Sequence, residues 1–255
     1  MNTHIEVLFS PAEFGALTGR DLTQTVCVVF DILRATTSLV TALRAGAQRV
    51  IPAADIPEAL AVKARDASVL LAGERDGVRI LAPLTGGVDF DFGNSPREFT
   101  PERVAGRSLV MTTTNGTRAL RACAGANAVL AASFLNLRAT ARWIEQHHPA
   151  RLLLVGSGTY EEAAMEDTLA AGALADMLWP IYGVGHVADS TEIARSLYRL
   201  HQRDLPNAMQ FARNGRRLLA NAELREDVRV CCQRETADLV AMQQPDGSLQ
   251  RVVSV

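Results

Sequence analysis

Several features are missing from this 255-residue chain, and each absence removes a class of function. Positive charge is not in surplus: 26 Lys and Arg stand against 28 Asp and Glu. No basic surface is therefore set up for nucleic acid or an anionic membrane, and any anion site must be local. No apolar run approaches the roughly 20 residues of a membrane span. The opening residues, MNTHIEVLFS, lack a charged-then-apolar export pattern, so a cytoplasmic protein is expected. The four cysteines, Cys27, Cys123, Cys231 and Cys232, include no C-x-x-C, which argues against zinc and for structural thiols. No G-x-x-x-x-G-K-[ST] is present, which excludes a P-loop NTPase, and no G-x-S-x-G nucleophile elbow occurs. GSGTYEEA has Glu161 and Glu162 where a dinucleotide fingerprint needs its third glycine. None of His4, His147, His148, His186 and His201 lies on a strand end, which leaves a histidine triad or phosphohistidine without support.

What is present is an alternation of apolar runs and helical patterns. Strand candidates are residues 4–10, 25–31, 49–54, 68–74, 108–114, 128–134 and 151–158. They are continuous in Val, Leu and Ile rather than alternating, as strands read when both faces are buried. Helical patterns follow at 35–47, 56–66, 117–125, 135–148 and 165–183, then at 191–201 and 207–223 with no strand between. A hairpin or edge strands are expected at Leu239–Gln243 and Leu249–Val253, around Pro245-Asp246-Gly247. The predicted class is α/β, with a largely parallel or mixed sheet sandwiched by helices and the site at strand-end loops. Residues 1–255 read as one unit, or as two α/β halves at about 1–125 and 126–255 with the site between them. No internal repeat or low-complexity tract stands out. The Leu81–Glu98 stretch is a long Gly/Pro/Asp/Asn loop of the kind that often carries function.

Two strand-end loops dominate: FDILRATT (30–37) and MTTTNGTRAL (111–120). In each, an apolar run stops at polar residues and a helix begins, which gathers hydroxyls, an arginine and free N–H groups at an anion-attracting point. Asp31 is placed to hold Mg²⁺ or to cap the helix, with Arg34, Thr36 and Thr37 beside it. Thr112, Thr113, Thr114, Asn115, Gly116 and Thr117, followed by Arg118, read as a phosphate or sulfonate cradle, or as a well-capped turn. Glu74 suits a metal ligand or base, and Arg75 a bidentate anion partner or a surface ion pair. DFDFGNSP offers Asn94 and Ser95; GSGTYEEAAMEDT offers Thr159, Glu166 and Asp167, the acids at a helix start that they also suit electrostatically.

Taken together, FDILRATTSLVTALRAGA, LAGERDGVRI, DFGNSPREFT, LVMTTTNGTRAL, SFLN and GTYEEAAMEDTLAAGAL resemble the 2-phosphosulfolactate phosphatase family over roughly residues 25 to 178. The resemblance implies an α/β phosphoric monoester hydrolase that uses Mg²⁺ and converts 2-phospho-3-sulfolactate to 3-sulfolactate and phosphate, a step of coenzyme M synthesis. Three departures stand out. Extra residues occupy Leu81–Val88, Glu161–Ala164 replace a glycine–x–Phe–Ser string, and Ala170 replaces a cysteine.

On this reading, Arg34, Arg75 and Arg118 partner a small substrate bearing phosphate, sulfonate and carboxylate. Asp31, Glu74 and Asp167 hold Mg²⁺, and Glu166 is a general acid. Attack by water is favoured over a covalent Asp31 intermediate. A homo-oligomer is compatible with the sequence. The alternative function is a non-catalytic or altered-specificity homologue that binds a small anionic metabolite.

Overall fold

The computed structural model describes residues 3–252. Its strands are β1 (His4–Leu8), β2 (Thr25–Phe30), β3 (Arg49–Pro52), β4 (Leu70–Arg75), β5 (Val78–Arg79), β6 (Ser108–Thr112), β7 (Ala128–Ala132), β8 (Arg151–Gly156), β9 (His186–Val187), β10 (Val240–Gln243) and β11 (Leu249–Val252). Its helices are α1 (Ala35–Arg44), α2 (Ile56–Arg65), α3 (Ala82–Thr85), α4 (Pro101–Val104), α5 (Gly116–Ala122), α6 (Leu137–His147), α7 (Met165–Met177), α8 (Trp179–Tyr182), α9 (Asp189–His201), α10 (Leu205–Ala208), α11 (Arg213–Ala220) and α12 (Arg225–Cys231). The α/β class is as expected, and all seven predicted strands occur with ends within two residues of the apolar runs. The long 165–183 helix is divided, because Pro180 opens a new helical turn in α8. The 207–223 pattern likewise separates into α10 and α11.

All strands join one sheet in the order β5-β4-β6-β3-β11-β10-β7-β2-β8-β1-β9. Both faces are covered. On β2, Val26, Val28 and Phe30 enter one apolar cluster with α6, α7 and α9, while Cys27 and Val29 enter another with α1 and α5. That two-sided burial explains the unbroken apolar runs. All four cysteines are buried and free.

The sheet corrects one reading outright: the chain does contain an internal repeat. The order β2-α1-β3-α2-β4 recurs as β6-α5-β7-α6-β8. The two units exchange strands. β3 and β4 flank β6 in parallel, and β7 and β8 flank β2 in parallel. Pairing registers align the units: Val50 faces Leu109 as Val129 faces Cys27. Counting onward, Asp31 of the first unit is equivalent to Thr113 of the second. Gly46–Ala54 (GAQRVIPAA) and Gly125–Ser133 (GANAVLAAS) are the visible trace of the repeat, each opening on a glycine with positive φ. Because the units interleave, each parallel block mixes strands from both, and a cut near residue 125 does not separate the blocks.

The β10–β11 hairpin forms as predicted, apart from Val253, which lies outside the described residues. Its place differs from an edge strand. It sits between β3 and β7, antiparallel to both. Three successive antiparallel pairings make the two parallel blocks run in opposite directions. The hairpin is short and apolar at Val240, Ala241 and Leu249, all fully buried, which suits a central position.

Two histidines occupy strand ends after all. His4 and His186 open β1 and β9 side by side, with ring centres 4.8 Å apart. These are amino ends, however, on the edge of the sheet opposite the carboxyl end of β2. Among the described residues no helix is long and apolar enough to cross a membrane.

Candidate active site

The carboxyl ends of β2, β4, β6 and β8 meet at a cleft of about 590 Å³, measured out to its open mouth. Its acidic lining comprises Asp31, Glu74, Asp76, Glu166 and Asp167, against the guanidiniums of Arg34 and Arg217. Leu33 is the apolar exception in an otherwise polar wall.

Asp31 leaves β2 and caps α1: its Oδ1 accepts the Ala35 N–H at 3.0 Å. Thr36 Oγ1 donates to the Asp31 carbonyl and accepts the Asp31 N–H, which closes the loop. Asp31 Oδ2 takes no part in these bonds. It approaches Gly116, where a Cβ would stand 2.8 Å from it. A glycine at the start of α5 therefore makes room for this carboxylate. Burial, with the charges of Glu74 and Glu166 nearby, pushes the Asp31 carboxyl up to about 7.

Arg34 is buried and does not pair with Asp31. Its Nη1 donates to Asp227 Oδ2 at 2.6 Å, and its Nη2 to the Gly77 carbonyl at 2.8 Å. Asp227 is wholly buried on α12 and also accepts from Ser95 Oγ and Arg97 Nε. A buried carboxylate with these partners fixes the guanidinium and leaves further N–H groups for a ligand.

Glu74 ends β4. Its Oε2 accepts the Gly77 N–H at 2.7 Å, and its Oε1 accepts from the N–H and Oγ1 of Thr114. Asp167 sits in the first turn of α7; its Oδ1 accepts the Ile32 N–H and its Oδ2 the Gly158 N–H. Burial, followed by the charges of Asp31 and Glu166, holds its carboxyl well above the ordinary range. Glu166 is 1% exposed. Its Oε1 accepts from Asn214 Nδ2 at 2.6 Å, while its Oε2 has no partner. Burial raises this carboxyl too. Burial of a carboxyl whose second oxygen has no partner disfavours its charged form.

The remaining predicted residues divide. Asn94, Thr114, Asn115 and Thr159 line the cleft beside the acids. Asn115 Nδ2 ties β6 to the β8 loop through the Ser157 and Tyr160 carbonyls. Asn94 keeps an unpartnered buried Oδ1. Ser95 points to Asp227. Thr37 bonds the Ile32 carbonyl, and Thr117 the Thr113 carbonyl. Thr36, Thr113, Gly116 and Thr117 line a separate, mostly apolar hollow between α1 and α5. The hydroxyls of Thr36, Thr37 and Thr117, expected to face a ligand, instead satisfy loop carbonyls at the helix starts, while Thr113 Oγ1 is buried without a partner.

Two of the three expected arginines are also turned elsewhere. Arg75 reaches back to the Glu74 carbonyl and to Thr112 Oγ1. Arg118 is 49% exposed and pairs with Glu161 outside the cleft. The second cleft guanidinium is Arg217. Asn214, Arg217 and Asp227 had no strand-end motif to reveal them. The available signal was the RNGRR string in a predicted helix, which sets Asn214 and Arg217 three residues apart on one face. Among the described residues no group of three or more His, Cys, Asp and Glu is gathered closely enough to count as a preformed metal cage.

Fold and cleft define an α/β protein that receives a small polar ligand beyond the carboxyl ends of its strands. The sequence matches the 2-phosphosulpholactate phosphatase family over residues 15–246, and the chain belongs to that family. A Cyanothece protein (strain PCC 7425) named probable 2-phosphosulfolactate phosphatase is 37% identical over 230 residues, covering 87% of this chain and 90% of its own. A relative of the same name from Thermosynechococcus vestitus is 38% identical over 223 residues, covering 85% of this chain and 88% of its own. One from Clostridium acetobutylicum is 34% identical over 214 residues, covering 84% and 87%.

Proposed function

We propose that the protein is a Mg²⁺-dependent phosphatase that hydrolyses 2-phospho-3-sulfolactate, or a closely similar phosphorylated acid, to sulfolactate and phosphate. Family membership and the names of the relatives support the reaction. The observation that carries it is the meeting of Asp31, Glu74, Glu166 and Asp167 with the fixed guanidinium of Arg34 in one cleft. The relatives are named as enzymes, so a purely binding role is not favoured.

The donor set fits Mg²⁺. That ion takes hard oxygens and keeps waters and substrate oxygens in its shell, so it needs only one or two carboxylates rather than a full cage. Five carboxylates face two guanidiniums, and a multiply charged anion could not enter such a field unaided. Asp31 would hold the ion through its uncommitted Oδ2, with Glu74 and Asp167 alongside. When bound, Mg²⁺ polarises the phosphoryl group and makes a water more acidic.

The chain's own groups do the rest. Arg34, clamped by Asp227, offers its remaining N–H groups to the phosphoryl oxygens. Water attacks phosphorus in line as the ester P–O bond breaks. Glu166 gives its Oε2 proton to the departing alkoxide oxygen and regains one from solvent. The Asn94 amide and Thr114 hydroxyl line the path.

The test is phosphate release from 2-phosphosulfolactate and from an aryl phosphate, with Mg²⁺ and with excess EDTA. Release from the sulfonated substrate that ceases in EDTA is the expected result. Turnover unaffected by EDTA would remove the metal, and no release from any phospho-acid would remove the phosphatase.

A further inference from the structure

Arg217 sits on the second turn of α11, in a part of the chain that no strand-end motif marks. It lines the cleft, yet among the described residues its guanidinium forms no hydrogen bond or ion pair with a side chain or carbonyl. Arg34 differs: two of its N–H groups are spent on Asp227 and the Gly77 carbonyl. A guanidinium has five N–H donors, so Arg217 is the cleft cation with its whole fork open.

Its position is nonetheless prepared. One turn earlier on the same face, Asn214 Nδ2 bonds both Thr159 Oγ1 and Glu166 Oε1, which locks the helix against the site. The guanidinium then lies against Gly77, at the tip of the β4–β5 turn. A Cβ placed on Gly77 would stand 3.4 Å from Nη2, 3.6 Å from Cζ and 3.9 Å from Nε. Near-equal distances to three guanidinium atoms describe a flat group laid over the glycine. Gly77 also has a φ of +80°, which few side chains adopt. The same residue gives its carbonyl to Arg34 and its N–H to Glu74. One bare turn thus meets both guanidiniums of the cleft.

The geometry points to Arg217 as a specificity-determining residue that binds the second anionic group of the substrate, the sulfonate remote from the phosphoryl group held at Arg34. This rests on the phosphatase reading for the identity of the ligand but not for the cation's role. A tetrahedral sulfonate can present two of its three oxygens to an open fork. A monoanionic ligand leaves that fork empty.

Calorimetric titration of the full chain with Mg²⁺, using 3-sulfolactate against lactate, tests it. The wild type should bind sulfolactate more tightly by roughly ten- to a hundredfold. Arg217→Met should erase that preference at an unchanged thermal midpoint, since the side chain is exposed. Arg217→Lys should restore part of it as a point charge. Gly77→Ala, strained at a φ of +80°, should disturb the turn under the guanidinium and lower it in the same direction. A wild type with no preference, or a preference that survives Arg217→Met, overturns the inference. Phosphate release is measured in parallel. If the preference depends on Arg217 but no phosphate is released, the phosphatase reading fails and this one stands. If phosphate is released without the preference, the reverse holds.

Discussion

The two repeated units carry the same parts to the same cleft and contribute different chemistry. The first ends its leading strand in Asp31 and turns through Arg34; the second, at the equivalent position, has Thr113 and turns through Asn115 and Gly116. One unit supplies charge. The other supplies a small-residue turn whose amide ties loops together and whose glycine lets Asp31 approach. Arginines follow both turns, but only Arg34 has a buried carboxylate waiting for it. Arg118 has an exposed partner and stays on the surface. A strand end therefore presents a cation to the cleft where the rest of the fold provides a buried counter-charge to fix it.

The largest effect that bears on this contrast is at the arginines. Arg34→Ala should lower kcat/KM for phosphate release by about a thousandfold or more. It should also cost about 3 kcal/mol in urea unfolding, because Asp227 loses the buried one of the two cations that stand 2.6 Å from it. Arg118→Ala should stay within about threefold of wild type, since exposed pairs contribute about 0–1 kcal/mol. Equal damage from both would break the comparison.

Next is Glu166→Gln, which should lower kcat about a hundredfold or more while the fold is kept. The loss should shrink on aryl phosphates whose leaving groups need no proton. An equal loss on both substrates removes the acid role.

A third effect concerns pH. The Asp31 carboxyl stands at about 7 in the folded chain against 3.8 ordinarily. The folded state binds this proton more tightly, so its contribution to stability is complete below pH 3.8 and is lost as pH rises through about 7. In EDTA, Asp31→Asn should therefore raise the thermal midpoint at pH 8 relative to wild type and flatten the decline between pH 4 and 8. Mg²⁺ added to wild type at pH 8 should recover stability in the same direction. Parallel pH profiles for the two proteins would sink this account.

The smallest effect is at Thr112→Val, which removes only the Arg75 contact. About 1 kcal/mol of stability and little activity should be lost.

Much of this was legible in the sequence because strand ends are local features. Apolar runs that stop at Asp31, Glu74 and Gly156 mark the carboxyl ends of their strands without any knowledge of pairing. What was missed is non-local. Asp227 meets Arg34 across 193 residues, and nothing in REDVRVC distinguishes a buried aspartate from a solvated one. Asn214 and Arg217 lie where the β-α rhythm has ended. The threonines misled for a different reason: a hydroxyl at a helix start has a carbonyl within reach, and that contact wins over an outside ligand. The repeat escaped notice because exchanged strands preserve topology while the side chains diverge, leaving one nine-residue string as its trace.

The central hairpin has a consequence for how the chain is made. Every other strand precedes it in the sequence, so both parallel blocks can assemble while each still presents a raw border, at β3 and at β7, to any passing backbone. Residues 240–252 are the keystone between the two blocks. A chain cut before Val240 should keep much of its helix and strand content and yet stick to copies of itself.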